Sequence, residues 1–212
     1  MKTSDLIGAL AADSDVRTMP PGRALALALV PSVAIALGLH LAILGLRPQL
    51  IALIGEPRLL FKLCLTALLV ALSGPLVLRL VKPGATVRSR VLMLAIVPAL
   101  LAAACLVELA VVPPTLWGQE LIGSNAVFCL TRIPSLAAAP LIGTLLALRR
   151  GAPENPGVAG AAAGLFAGAI GAALYATHCP DDSPLFVAAW YSLAICFVVI
   201  AGALVGRRLL RW

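Results

Sequence analysis

The chain has 212 residues, 61% of them hydrophobic and only 12% charged, at a mean hydropathy of +1.05. A water-soluble domain carries about 25% charged residues, so this composition excludes one and describes an integral membrane protein. The net charge of +7 does not point to direct nucleic-acid binding, because the basic residues are scattered over separate segments that flank apolar runs.

The first 23 residues, "MKTSDLIGALAADSDVRTMPPGR", form the longest polar segment. Asp5, Asp13 and Asp15 lie where a signal peptide would be basic, and no small-residue cleavage site follows the first apolar run, so the segment is expected to be retained. Thr3, Ser4 and Asp5 are good helix starters, Leu6, Ile7 and Leu10 fall on one face, and Pro20-Pro21 ends the segment. A helix this short is marginal alone in water. It is expected to fold against a surface that accepts apolar anchors, either the membrane or a protein groove; its balance of acidic and basic residues favours the protein.

Six apolar stretches of the length needed to cross a bilayer follow, at 24–46, 59–79, 91–112, 126–148, 158–177 and 185–206. The expected fold is an all-α bundle of six transmembrane helices, residues 24–212, preceded by the 1–23 cytoplasmic segment. Pro31, Pro75, Pro98, Pro134 and Pro140 sit inside these stretches and predict kinks. In the fifth, Gly160, Gly164 and Gly168 recur every four residues and Ala172 continues the row, a stripe that lets another backbone approach, with the fourth helix as the expected partner. With both termini in the cytoplasm, 12 of the 16 Lys and Arg residues fall on the inner side, the arrangement the positive-inside rule selects.

Few polar groups interrupt the spans. Lys62, Glu108 and Arg132 lie within about two turns of the outer helix ends, where long side chains can reach water, and Lys62 and Glu108 could pair across the second and third helices. No ionisable residue is expected at the bilayer centre, which counts against a small-solute transporter. No hydrolase arrangement of Ser, His and Asp is visible.

Of the five cysteines, Cys64, Cys105 and Cys196 fall within apolar stretches and read as small hydrophobes. Cys129 begins the fourth span, and Cys179 lies in the outer connection "YATHCPDDSPLF" between the fifth and sixth. At 1.5 Å per residue, the 20 residues from Cys129 to Arg149 and the 22 from Gly157 to Cys179 span about 30 and 33 Å, so both sulfurs should emerge at one level. Three readings stay open. The pair could be redox-active; it could join His178, and Asp181 as an accessory, in binding a thiophilic metal; or it could be a permanent disulfide or two idle thiols. No CxxC is present to support a quinone-linked thiol oxidoreductase, the enzymatic alternative.

The N-terminal phrase "MKTSDLIGALAAD", the Pro-Pro-Gly-Arg entry into the first span, the cysteine opening the fourth, and "HCPDDSPLFVAAWYSLAI" leading into the sixth resemble the NrsF-type negative regulators of sigma F, six-helix membrane anti-sigma factors of proteobacteria. The resemblance covers essentially the whole chain. It implies a regulator rather than an enzyme, located in the cytoplasmic (inner) membrane and needing no resident cofactor. It would hold an extracytoplasmic-function (ECF) sigma factor at the inner face and release it under oxidative or heavy-metal stress. The family's paired outer cysteines correspond to Cys129 and Cys179, with His178 as a tentative third metal ligand on our own reading. Leu6, Ile7 and Leu10 are likewise our own choice of sigma-factor anchors.

Overall fold

The computed structural model describes residues 3–5, 7, 8, 19–48, 50–53 and 55–211. Among these there are helices and connections but no strand. Six helices are long and apolar enough to cross a membrane. They are α1 (Pro21–Leu44), α2 (Pro57–Leu80), α3 (Arg88–Val111), α4 (Ala126–Leu148), α5 (Pro156–Ala176) and α6 (Pro184–Leu209). Each boundary lies within about three residues of the apolar stretch that predicts it.

Prolines set several of the starts. Pro21, Pro57, Pro156 and Pro184 occupy the first helical turn, where the missing N–H costs nothing and the fixed φ suits a helix. The Asn155 side chain caps α5 by accepting from the Gly157 and Val158 amides at 3.1 Å each. Inside α3 a turn at Ala95 separates Arg88–Leu94 from Ile96–Val111, three residues before Pro98, whose missing N–H leaves the Leu94 carbonyl without its helical donor.

The centre of the bundle is α5, with 67% of its most apolar 18-residue window buried. It packs against α6, α4 and α2, while α1 packs mainly on α4, and α3 lies at the edge against α2. The small-residue stripe works as predicted, but toward a different partner. Gly160 and Gly164 face the backbone of α6, where Gly202 and Gly206 supply a matching row, and no side-chain carbon could be added at any of the four without striking the opposite helix. The approach of α4 uses another face of α5: a Cβ at Gly171 would lie 2.6 Å from the Ile133 carbonyl.

The bundle has two chemically distinct ends. One, the basic end, holds Arg23, the 79–90 segment with Arg79, Lys82, Arg88 and Arg90, Arg149 and Arg150, and the Arg207–Arg211 tail. The other, the cap end, holds residues 45–56, 112–125 and 177–183. Both α1 and α6 pass through a π-helical turn there, at His40–Leu44 and Val187–Tyr191. Such turns mark positions where packing has overridden the regular ladder, frequently at functional sites.

At the N-terminus, Thr3–Asp5, Ile7 and Gly8 are helical and exposed, and Ile7 is 61% accessible. Leu6 and Leu10 lie outside the described residues.

Candidate functional site: a buried thiol pair under a polar cap

Cys129 is the fourth residue of α4, and its amide makes the first helical bond, to Asn125 at 2.8 Å. Cys179 lies three residues beyond the end of α5, its amide bonded to the Tyr175 carbonyl at 3.0 Å. Both are fully buried, both are free thiols, and the two side chains lie within hydrogen-bonding reach of each other. The expected common level of the two sulfurs is therefore observed, and the loop brings them together. Around them is an apolar cluster that includes Leu65, Ile133, Tyr175, Phe186 and Tyr191. The Tyr175 hydroxyl reaches both sulfurs; that of Tyr191 is buried beside Cys179 without a well-formed hydrogen bond.

What holds the loop down is Lys62, a residue sequence reasoning placed wrongly. It does not rise to water or pair with Glu108. Its side chain is 0% exposed, and its ammonium donates to the Cys179 carbonyl at 2.8 Å, the Asp181 carbonyl at 3.3 Å and the Asp182 carboxylate. Three donors meet three acceptors, so the buried charge is both neutralised and fully hydrogen-bonded. The second Asp182 oxygen takes Arg47 at 2.7 Å, and the Arg47 amide donates to the Thr177 carbonyl at 3.1 Å. Glu108, also buried, accepts from Ser183 Oγ at 2.9 Å and the Leu185 amide at 3.2 Å, and pairs with Arg58 at 3.0 Å.

Asp181 is committed elsewhere than to a metal. Its carboxylate accepts from the amides of Ser124 at 3.2 Å and Asn125 at 2.9 Å and from both their side chains. It thus caps the start of α4 from another loop, where Asn125 makes no cap of its own. Gly123, at φ 58°, makes the turn beneath it in the left-handed region that favours glycine.

His178 is half-buried rather than a solvated loop residue, and its Nδ1–H donates to the Gly45 carbonyl at 3.0 Å. Thr177 gives its hydroxyl proton to Leu174, so the contact at 3.0 Å is His40 Nε2–H donating to Thr177. The three-ligand set of Cys129, Cys179 and His178 is not assembled: among the described residues no group of three His, Cys, Asp or Glu side chains is placed to hold a metal ion. Two soft sulfurs remain, a donor pair suited to thiophilic ions rather than to the four-coordinate sites of zinc.

The two sulfurs are not equivalent. Cys179 is lowered from the ordinary thiol value of 9.0 to about 7, chiefly by the hydrogen bond from Cys129 and then by the Lys62 ammonium, against the opposing effect of burial. The site thus holds a thiol lowered toward its thiolate and a second thiol beside it, closed off by a loop pinned through Lys62, Arg47, Asp181, Asp182 and Glu108.

A family model described as negative regulator of sigma F matches residues 10–212. This chain belongs to the NrsF family. It is 40% identical over 215 residues to the anti-sigma-F factor NrsF of Caulobacter vibrioides (strain NA1000 / CB15N), with the whole of both chains covered. It is 34% identical over 220 residues to the probable anti-sigma-F factor NrsF of Azospira oryzae, again over the whole of both chains. No solved structure matches it. Membership in a family of negative regulators makes the thiol pair a candidate signal-receiving site within that class of protein.

Of the residues around the thiols, Asp182, Arg47 and the two tyrosines were not singled out from sequence, and Lys62 was matched to Glu108 instead. The available signal was Lys62 itself: an ammonium inside an apolar stretch needs a carboxylate, and Asp181-Asp182 was the nearest acidic pair in an adjoining loop.

Proposed function

We propose that this chain is a multi-pass inner-membrane anti-sigma factor that holds an ECF sigma factor at its cytoplasmic basic end and releases it when Cys129 and Cys179 are oxidised or capture a thiophilic metal ion. The regulator class is supported by the family and by its full-length relatives named anti-sigma-F factors. The trigger rests on one observation, the buried Cys129–Cys179 pair with its lowered Cys179 thiol. The concentration of arginines and lysines at one end supports placing that end in the cytoplasm and the cap end across the membrane, where disulfides persist.

Oxidation by a hydroperoxide is chemically direct. The Cys179 thiolate attacks the terminal peroxide oxygen, leaving a sulfenic acid and an alkoxide that water protonates; the Cys129 sulfur then attacks the sulfenic sulfur, forming the disulfide and expelling water. The thiols are buried, so the loop must first open, and the new bond then ties the 177–183 loop to α4 covalently. A metal ion would act as the inducer rather than as a resident cofactor, bridging the same two sulfurs.

The route to the other end runs along α4. Near its basic end, Gly143 lies so close to α1 that a Cβ there would be 2.8 Å from the Ala28 carbonyl and 2.7 Å from Ser32 Oγ. A rigid shift of α4 therefore displaces α1, whose first residue, Pro21, carries the N-terminal segment with Leu6, Ile7 and Leu10. Oxidant and sigma factor are coupled to the extent that each binds one helix arrangement better than the other.

Replacing Cys129 or Cys179 with Ser should leave sigma-factor capture intact and abolish the response of a sigma-dependent reporter to oxidant. Normal induction in both single variants would disprove the trigger. Leu6→Glu with Leu10→Glu should abolish capture of sigma factor by the full-length protein; unimpaired capture would move the contact off this segment.

A further inference from the structure

The basic end contains a cleft of about 360 Å³ between the start of α1, the end of α2 and the start of α3. Arg79, Lys82 and Arg90 line it, Pro21, Pro75 and Leu78 form its apolar wall, and among the described residues no carboxylate lines it. Glu154 is not among its lining residues; its carboxylate accepts from the Gly84 amide at 3.4 Å on the 81–87 connection. All four ion pairs among the described residues are at the cap end. Arg79, Lys82 and Arg90 thus converge on one cavity that no carboxylate among the described residues lines.

Three further features bear on what such a cleft would take. It opens at the helix ends, the depth of the headgroups once the bundle is in a bilayer. The helices α1 and α3 that flank it carry exposed apolar side chains, among them Val30, Val91 and Leu92. Finally, α1 and α2 scarcely touch, so the space between them is open sideways.

We infer that this cleft is a binding site for an anionic phospholipid, with the phosphate between Arg79, Lys82 and Arg90 and the glycerol and upper acyl carbons against Pro21, Pro75 and Leu78. Basic pockets between transmembrane helices on the cytoplasmic side are suited to such headgroups. Because Pro21 and Gly22 line the cleft, an occupying lipid bears on the base of the N-terminal segment and anchors it to the inner leaflet. The inference rests on the membrane placement proposed above.

The test incorporates the full-length protein into nanodiscs of phosphatidylcholine alone or with phosphatidylglycerol and measures lipid retained on release by native mass spectrometry. Wild type should retain phosphatidylglycerol, and Arg79→Gln/Lys82→Gln/Arg90→Gln should weaken retention about a hundredfold, taking roughly fivefold for each cation near an anionic headgroup. A control with the same charge loss elsewhere, Arg207→Gln/Arg208→Gln/Arg211→Gln, should retain it as wild type does, and inorganic phosphate should not displace it. Equal loss in both triple variants would refute a specific site in favour of diffuse charge. Displacement by inorganic phosphate would reassign the cleft to a soluble anion. Unchanged retention in the cleft variant, or loss of sigma-factor capture by that variant with no lipid retained by wild type, would overturn the inference, the latter by giving the cleft to a protein surface. A chain that enters both nanodiscs but holds no phosphatidylglycerol refutes the lipid site alone, whereas one that enters neither refutes the membrane placement as well.

Discussion

Replacing Lys62 with methionine removes the ammonium while keeping an unbranched side chain of similar length. The change strips donors from the Cys179 and Asp181 carbonyls and leaves Asp182 with Arg47 as its remaining partner. Removing one member of a buried ion pair costs about 3–5 kcal/mol. Asp182 keeps Arg47 and is 17% exposed, so water recovers part of that loss and the lower figure, about 3 kcal/mol, applies. The cost falls on closure of the 177–183 loop rather than on the helices, which raises the open population by about a hundredfold. Pulsed maleimide labelling of the folded protein, read by mass spectrometry on the peptide containing Cys179, should show a matching acceleration with helix content unchanged. Asp182→Asn should act in the same direction by leaving the Lys62 charge buried against carbonyls alone. A labelling rate at Cys179 unaltered by either variant would refute the claim that this ion pair holds the loop shut.

Asp181→Ala should cost about 1–2 kcal/mol by uncapping α4, with faster hydrogen exchange at the Ser124 and Asn125 amides as the readout; unchanged exchange would remove Asp181 from that role. Gly143→Leu should force α1 and α4 apart at Ala28 and Ser32, leaving the cysteines oxidisable while sigma-factor release no longer follows; a normal response would break the proposed route. The alkylation rate of Cys179 should rise with pH and reach half its plateau near 7 rather than 9. Because the folded value lies below the ordinary one, the thiolate's stabilising contribution is present in full above about pH 9 and is lost as pH falls through about 7. A midpoint near 9 would show that Cys179 is an unperturbed thiol.

Much of the architecture was legible because apolar length alone marks a membrane-spanning helix, and prolines such as Pro57 and Pro184 mark where it begins. The glycine period in α5 correctly announced a close backbone contact. Its partner was also readable, since Gly202 and Gly206 repeat the same spacing in α6; the chain neighbour α4 instead meets α5 at Gly171. The level of Cys129 and Cys179 followed from helix rise, but their direct contact did not, because it depends on Lys62 and Asp181 folding the 177–183 loop inward. The charge partners resisted prediction for the same reason. Lys62 could be matched to Glu108 or Asp182 by depth alone, and only the loop's path assigns Asp182 to Lys62 and Glu108 to Arg58 and Ser183. The π turns at His40–Leu44 and Val187–Tyr191 have no local signature in the sequence, since such turns arise where packing overrides the regular ladder.

The most direct test of the account follows the Cys129–Cys179 bond and the sigma factor in one sample. Membranes containing the full-length protein are treated with a hydroperoxide, unreacted thiols are alkylated at once, and the disulfide-linked peptides and co-purifying sigma factor are quantified together over time. The account predicts that the Cys129–Cys179 linkage appears in proportion to sigma factor lost, and that dithiothreitol reverses both. Release of sigma factor while both thiols remain free, or complete linkage with sigma factor still bound, would contradict it.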